Sequence, residues 1–312
     1  MLFKNRILQL SLAKRLYSVH SEIRQKTIHD LMAKYHAQKP ISMVTAYDFI
    51  TSTWANRANA DIILVGDSLS MCSLGYASTT DLPLDEFQYH VKSICRAEGT
   101  SFIVADMPYG SFESSIEKGI STAVSLMKCS SRVNAVKLEV GSQKNDYALE
   151  LASELCRRGI PVMGHIGLTP QRVHAMGGYK VQGSKSISDV MAIYLRAKEL
   201  QDVGCFSLVL ECVPHQIAKN ITSKLHIPTI GIGAGPNTSG QVLVMSDLLG
   251  MTSGKVPKFV NKYSNIGELA VSGIANYIEE VNTASFPKIG QHTFTVNSEV
   301  LQEFIKELSS YG

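Results

Sequence analysis

Residues 61–67 read Asp61-Ile62-Ile63-Leu64-Val65-Gly66-Asp67, four unbroken apolar residues closed by a glycine and a carboxylate. An apolar run without polar alternation suits a strand buried on both faces, as in a parallel sheet. Further along, Ser101–Ala105 repeats the pattern and Asp106 closes it. Comparable runs are Ile41–Thr45, Ala135–Glu139, Ile160–Gly164, Phe206–Leu210 and Pro228–Ile232, with a weaker eighth at Val242–Met245 or Leu248–Met251. Between the runs, Leu84, Phe87, Val91 and Ile94 mark a helical spacing over Leu84–Glu98, and Ser115–Lys128, Asn145–Arg158 and Ile187–Val203 behave alike. Gly99, Gly159 and Gly204 stand where glycines cap helix C-termini. Alternating strands and helices predict an α/β protein with a parallel sheet. Eight such units within about 250 residues favour a closed (β/α)8 TIM barrel, although a doubly wound open sheet shares the local pattern.

The barrel is expected over residues 21–283, with a helix in 21–40 preceding the first strand. Residues 284–312 read as a tail with a short helix at Val300–Leu308. Of the 312 residues, 45% are hydrophobic and 18% charged, which suits a filled globular core. The formal net charge is +3, but residues 1–17 carry Lys4, Arg6, Lys14 and Arg15 and no acid; without them the body is at −1. That body offers no nucleic-acid footprint. The acid-poor amphipathic start reads as an organellar transit peptide, here a mitochondrial one, with cleavage near Tyr17; a basic first helix of the fold is the alternative. No segment reaches the ~18 apolar residues needed to span a membrane. Six cysteines, none in a C-x-x-C pair, read as reduced thiols of an intracellular protein.

Catalytic groups of a barrel gather where its strands end. Those positions hold Asp48, Asp67-Ser68, Asp106, Lys137, Glu139, His165 and Glu211. Asp67 and Asp106 end neighbouring strands, and two such carboxylates repel unless a cation lies between them; hard oxygen ligands suit Mg2+. The alternative is that Asp67 caps a helix and Asp106 only ends a strand. Lys137 and Glu139 share parity and point the same way. They either serve a substrate carboxylate and a metal shell, or form a structural ion pair. His165 is a donor to substrate oxygen or a satisfied rim group. Glu211 is a proton acceptor or a carboxylate paired with a lysine. Gly231-Ile-Gly233-Ala-Gly235 lacks dinucleotide-fold spacing and reads as an anion cradle or as close backbone packing. The glycine-bearing loop Gly177–Gly183 reads as a lid.

The strings T-A-Y-D (45–48), L-V-G-D-S-L (64–69), A-D-M-P (105–108), V-K-L-E (136–139), G-H-I-G-L-T-P-Q (164–171), G-G-Y-K-V-Q-G (177–183), L-E-C-V-P (210–214), I-G-I-G-A-G (230–235) and P-K-F (257–259) resemble the ketopantoate hydroxymethyltransferase family. The resemblance runs in family order from about residue 25 to about residue 292. The basic start and the last residues lie outside it and resemble fungal members. It implies a (β/α)8 barrel of the phosphoenolpyruvate/pyruvate superfamily. The implied reaction moves a one-carbon unit from 5,10-methylenetetrahydrofolate to 3-methyl-2-oxobutanoate, giving 2-dehydropantoate for pantothenate and coenzyme A synthesis. By resemblance, Asp67, Asp106 and Glu139 hold Mg2+, Asp67, Ser68, Asp106, Lys137 and His165 bind substrate, and Glu211 is the catalytic base. Large homo-oligomers, often decamers, are implied too.

Two rivals differ in kind. A carbon–carbon lyase of the isocitrate lyase or phosphoenolpyruvate mutase type would share metal and enolate, but needs a reactive cysteine on the lid, and Gly177–Gly183 has none. A non-catalytic keto-acid-binding barrel would have lost its base or a ligand, and none is missing.

Overall fold

Eight parallel strands close on one another in chain order in the computed structural model, which describes residues 23–254 and 256–311. They are β1 Ile41–Thr45, β2 Ile62–Val65, β3 Phe102–Asp106, β4 Val133–Glu139, β5 Val162–Gly167, β6 Ser207–Glu211, β7 Thr229–Ile232 and β8 Gly240–Leu243. Pairing of β1 with β8, Met43 opposite Val242, closes the ring and excludes the doubly wound sheet. The weak eighth strand belongs to the Val242 candidate. Leu248–Met251 is not a strand, because Met245–Leu248 is a helical turn. β8 was hard to see because it opens on Gly240, where a Cβ would sit 2.3 Å from the Ile41 carbonyl oxygen. Packing there demands glycine, not an apolar side chain.

Alternate residues of every strand point into the barrel. Met43, Ile62, Leu64, Phe102, Val104, Ala135, Met163, Val209, Ile230 and Val242 form one buried cluster there. Leu31 joins it from the helix Ile28–His36, which precedes β1 as expected and starts in a reciprocal cap between Thr27 and Asp30. Emptying that contact with Leu31→Ala would cost about 2–5 kcal/mol.

The expected helices form at Leu84–Cys95, Ile116–Met127, Tyr147–Arg157 and Ile187–Asp202. Gly159 and Gly204 follow the second pair's C-caps with φ of 77° and 105°, as helix-ending glycines do. Gly99 does not. Its helix stops at Cys95 with Arg96 as cap, and a Cβ on Gly99 would meet Asn56 Oδ1 at 2.0 Å. Gly99 leaves room for the Asn56 side chain, which accepts the Ser101 N–H.

The chain divides into two compact units, one of residues up to 245 with 256–260, the other of 246–255 with 261–312. The second carries the helices Ile266–Asn282 and Ser298–Leu308, neither of which buries a residue. All six cysteines are free thiols, and among the described residues no helix is long and apolar enough to cross a membrane.

Candidate active site

The inward columns of the barrel change character near the strand ends. Val104 is followed two residues on by Asp106, Ala135 by Lys137 and then Glu139, Met163 by His165, and Val209 by Glu211. Parity therefore aims every one of these groups into the same mouth. Register does the rest: Asp106 lies opposite Lys137, Glu139 opposite His165, and Gly167 opposite Glu211. Asp67 enters from just past β2, where its N–H donates to Asp106 Oδ2 at 3.0 Å.

Lys137 Nζ stands 2.6 Å from Asp106 Oδ1 and 3.2 Å from His165 Nδ1. An ammonium only donates, so Nδ1 accepts, and the neutral ring is assigned its proton on Nε2. Burial and the neighbouring Lys137 push the imidazole's pKa down, which keeps it neutral. Nε2 faces Glu211 Oε2 at 3.3 Å without completing a well-aligned hydrogen bond. Glu211 is the outermost of the group, its side chain 17% exposed, and its close partner is a histidine, not a lysine.

Three carboxylates are sealed: Asp67, Asp106 and Glu139 are at most 5% exposed. Burial raises the Asp106 pKa to about 7, against the attraction of Lys137 and with the repulsion of Asp67. Burial, then Asp67, raises Glu139 well above the usual carboxylate range. Lys137 loses solvation too, yet the charges of Asp106, Glu139 and Asp67 prevail and hold it protonated. Among the described residues Asp106 Oδ1 has no hydrogen-bond partner beyond that ion pair. An excess of buried oxygen anions, one ammonium among three carboxylates, fits a hard divalent cation. Among the described residues no three His, Cys, Asp or Glu side chains already stand together as metal ligands. A site of one or two carboxylates, finished by water and substrate, is how Mg2+ is usually held.

Asp67 does not cap a helix. Position makes Ser68 the N-cap of Leu69–Cys72, with no side-chain capping bond, and the residue is half-buried directly after Asp67. Asp48 is a cap: its carboxylate accepts the Thr51 N–H at 2.8 Å, which takes it out of the site.

Two residues of the site were not singled out from sequence. Gln171, 4% exposed, donates Nε2 to Asp67 Oδ2 at 2.8 Å and its backbone N–H to Glu139 Oε2 at 3.0 Å. The signal was Pro170, which starts the short 3-10 turn Pro170–Arg172 and turns that amide inward. Tyr179, on the loop Gly177–Gly183, is 55% exposed; partial burial and then the charges of Asp67, Glu211 and Glu139 raise its hydroxyl pKa. Gln182 N–H ties the loop to the Cys212 carbonyl at 2.9 Å. The other glycine loop is close packing: added Cβ atoms would meet Thr238 Oγ1 at 2.6 Å from Gly231 and His215 Cβ at 2.3 Å from Gly235.

A family model described as ketopantoate hydroxymethyltransferase matches residues 25–289. The 3-methyl-2-oxobutanoate hydroxymethyltransferase of Saccharomyces cerevisiae is 54% identical over 95% of this chain and 96% of its own length. The enzyme of that name from Carboxydothermus hydrogenoformans is 44% identical over 88% and 98%. Among solved structures, 2,3-dimethylmalate lyase of the PEP mutase/isocitrate lyase superfamily shares the fold, with a TM-score of 0.51 at 14% identity, covering 91% of this chain and 98% of that one.

Proposed function

The chain belongs to the ketopantoate hydroxymethyltransferase family and is an enzyme, and from that premise we propose that it transfers a hydroxymethyl unit from 5,10-methylenetetrahydrofolate to 3-methyl-2-oxobutanoate. The product is 2-dehydropantoate, the first step toward pantothenate. The observation that carries this reading is the convergence of Asp67, Asp106, Lys137, Glu139, His165 and Glu211 on one mouth.

Asp67 and Asp106 would hold Mg2+, with Glu139 completing the shell directly or through water. Bound there, the ion offsets the negative charge that builds on the keto acid's oxygens as C3 is deprotonated. Glu211 takes the C3 proton, being the carboxylate nearest solvent and free of a lysine partner. His165, neutral with its one N–H on Nε2 and no completed hydrogen bond to Glu211, donates to a substrate oxygen. Lys137, held charged, balances the substrate carboxylate, and Ser68 contributes its uncommitted hydroxyl. Closing the loop at Tyr179 would exclude water from the resulting carbanion. A lyase-like cysteine mechanism lacks its nucleophile: Cys212, the thiol nearest that loop's anchor, has its pKa raised to about 11 by burial and then by Glu211.

The helices Ile266–Asn282 and Ser298–Leu308 expose Leu269, Ile274, Ile278 and Phe304, a surface that supports assembly into a homo-oligomer such as the family's decamers. Residues 1–17 would direct the protein to the mitochondrial matrix. The test of the activity is folate-dependent formation of 2-dehydropantoate by the purified protein. Product is expected with Mg2+ and none with chelator; no product in either arm overturns the reading.

A further inference from the structure

Gln171 carries no charge and takes no part in the proton transfer, yet it is bonded to two of the three sealed carboxylates. Its Nε2 donates to Asp67 Oδ2 at 2.8 Å and to the Met107 carbonyl at 2.9 Å. Its backbone N–H donates to Glu139 Oε2 at 3.0 Å. Asp67 lies just past β2, Met107 follows β3 and Glu139 ends β4, so one residue from beyond β5 ties together three other strand ends. Both partners of Nε2 are acceptors, which decides the orientation of the amide. Each of its two hydrogens has its own oxygen.

Gln171 is itself held in place. It is 4% exposed and sits in the middle of the 3-10 turn Pro170–Arg172. Before the turn, Leu168 N–H donates to the Glu211 carbonyl at 2.9 Å. After it, Arg172 is ion-paired with Asp146, whose side chain is 3% exposed. Pro170 restricts the backbone at the turn's first position. Asp67 has less support of its own. β2 ends at Val65, so no strand pairing aims the Asp67 carboxylate. Its backbone N–H is tied to Asp106 Oδ2, and its side chain to Gln171.

The two common hard cations respond differently to such a restraint. Mg2+ demands a near-ideal octahedron at about 2.0–2.1 Å, while Ca2+ accepts variable geometry at about 2.3–2.6 Å. A carboxylate held by a fixed donor cannot swing freely to follow the larger ion. Resting on the functional reading above, in which Asp67 holds the metal, we propose that Gln171 is a positioning residue that fixes the Asp67 carboxylate and thereby selects Mg2+ over Ca2+. Its backbone N–H steadies Glu139, and side-chain substitution leaves that bond in place.

The experiment compares full-length wild type with Gln171→Met, an unbranched side chain of similar length that has no donor. Calorimetry gives Kd for Mg2+ and for Ca2+, each with 3-methyl-2-oxobutanoate present, and product formation is followed separately. Removing the partner that orients a metal ligand typically costs about 10–100-fold in affinity. Kd for Mg2+ should rise by that factor and Kd for Ca2+ by less, so the preference for Mg2+ shrinks. Gln171→Asn, one methylene too short to reach Asp67 from the same backbone, should change selectivity in the same direction. A merely structural role weakens both ions equally, so equal losses overturn the proposal, as does an unchanged Kd for Mg2+. Failure of both variants to fold in chelated buffer also overturns it, because Gln171 would then serve the fold. A wild type that binds neither cation, or binds Mg2+ and forms no product, defeats the functional reading instead.

Discussion

Lys137 and Asp106 form an ion pair at 2.6 Å with side chains only 5% and 2% exposed, in a pocket that also holds Asp67 and Glu139. One ammonium thus serves several buried carboxylates. The imbalance is expensive for folding without metal, and it is the property from which the site's pH response and its chemistry both follow.

The pH response has a definite sign. Asp106 has a folded pKa raised to about 7 against an ordinary 3.8, and Glu139 is raised as well. A carboxylate with a raised folded pKa binds its proton more tightly in the native state. Stability is therefore gained as pH falls through the folded value and lost as pH rises through it. His165, whose pKa is lowered, works in the opposite sense below about pH 6.5. Chelator-treated protein should be more resistant to urea at about pH 6.5 than at pH 8, and Asp106→Asn should flatten the difference. A midpoint that climbs toward pH 8 would contradict the burial account.

Removing the ammonium should be worse than removing the pair. Lys137→Met leaves its carboxylates without their cation, and breaking a buried pair from one side costs about 3–5 kcal/mol. Adding Asp106→Asn should return part of that loss, with a coupling of about 0.5–3 kcal/mol. Urea unfolding of the two single variants and the double variant closes the cycle; strictly additive effects would show that the two side chains do not share an environment.

These charges were legible in the sequence because barrel geometry converts parity into position. Once Val104, Ala135, Met163 and Val209 face inward, Asp106, Lys137, His165 and Glu211 must do so one step higher. What was not legible depends on the path of loops. Gln171 is neutral and reaches two carboxylates only because the 3-10 turn folds back. Gly99 sat where a cap glycine belongs, yet serves the approach of Asn56, a contact between residues far apart in sequence.

Asp67→Ala should remove the metal and leave the barrel. Asp67 ends no helix and its side chain answers to Gln171, so its loss frees one neutral donor without opening the core. The expected result is loss of turnover, with Mg2+ raising the melting temperature of the wild type and not that of the variant. A variant still stabilised by Mg2+ to the wild-type extent would exclude Asp67 as a ligand.

The proposed leader, residues 1–17, lies outside the described residues, and the charge of that segment alone makes the prediction. Lys4, Arg6, Lys14 and Arg15 stand without an acid in residues 1–17. Fused to a fluorescent reporter, the segment should carry it into mitochondria with cleavage near Tyr17. A reporter that stays in the cytosol refutes this.

Glu211 bears the sharpest expectation. Carbon–carbon bond formation needs a carbanion at C3, so proton removal must come first and should proceed with keto acid and Mg2+ alone. Glu211 is the one carboxylate of the mouth with 17% of its side chain exposed, while Asp106 and Glu139 are sealed and shifted toward their protonated forms. Its Oε2 lies 3.3 Å from His165 Nε2, the ring nitrogen assigned the proton. Glu211→Gln keeps the shape and the hydrogen-bonding capacity but loses the basic oxygen. Loss of a positioned general base costs about 10²–10⁴-fold in rate. NMR in deuterated water should show C3 exchange slowed by that factor, while titration of the keto acid with Mg2+ gives near wild-type affinity, because Asp67, Asp106 and Lys137 are untouched. Exchange at the wild-type rate would remove Glu211 from the mechanism and make His165 the group to replace next, with His165→Gln exchange as the deciding measurement.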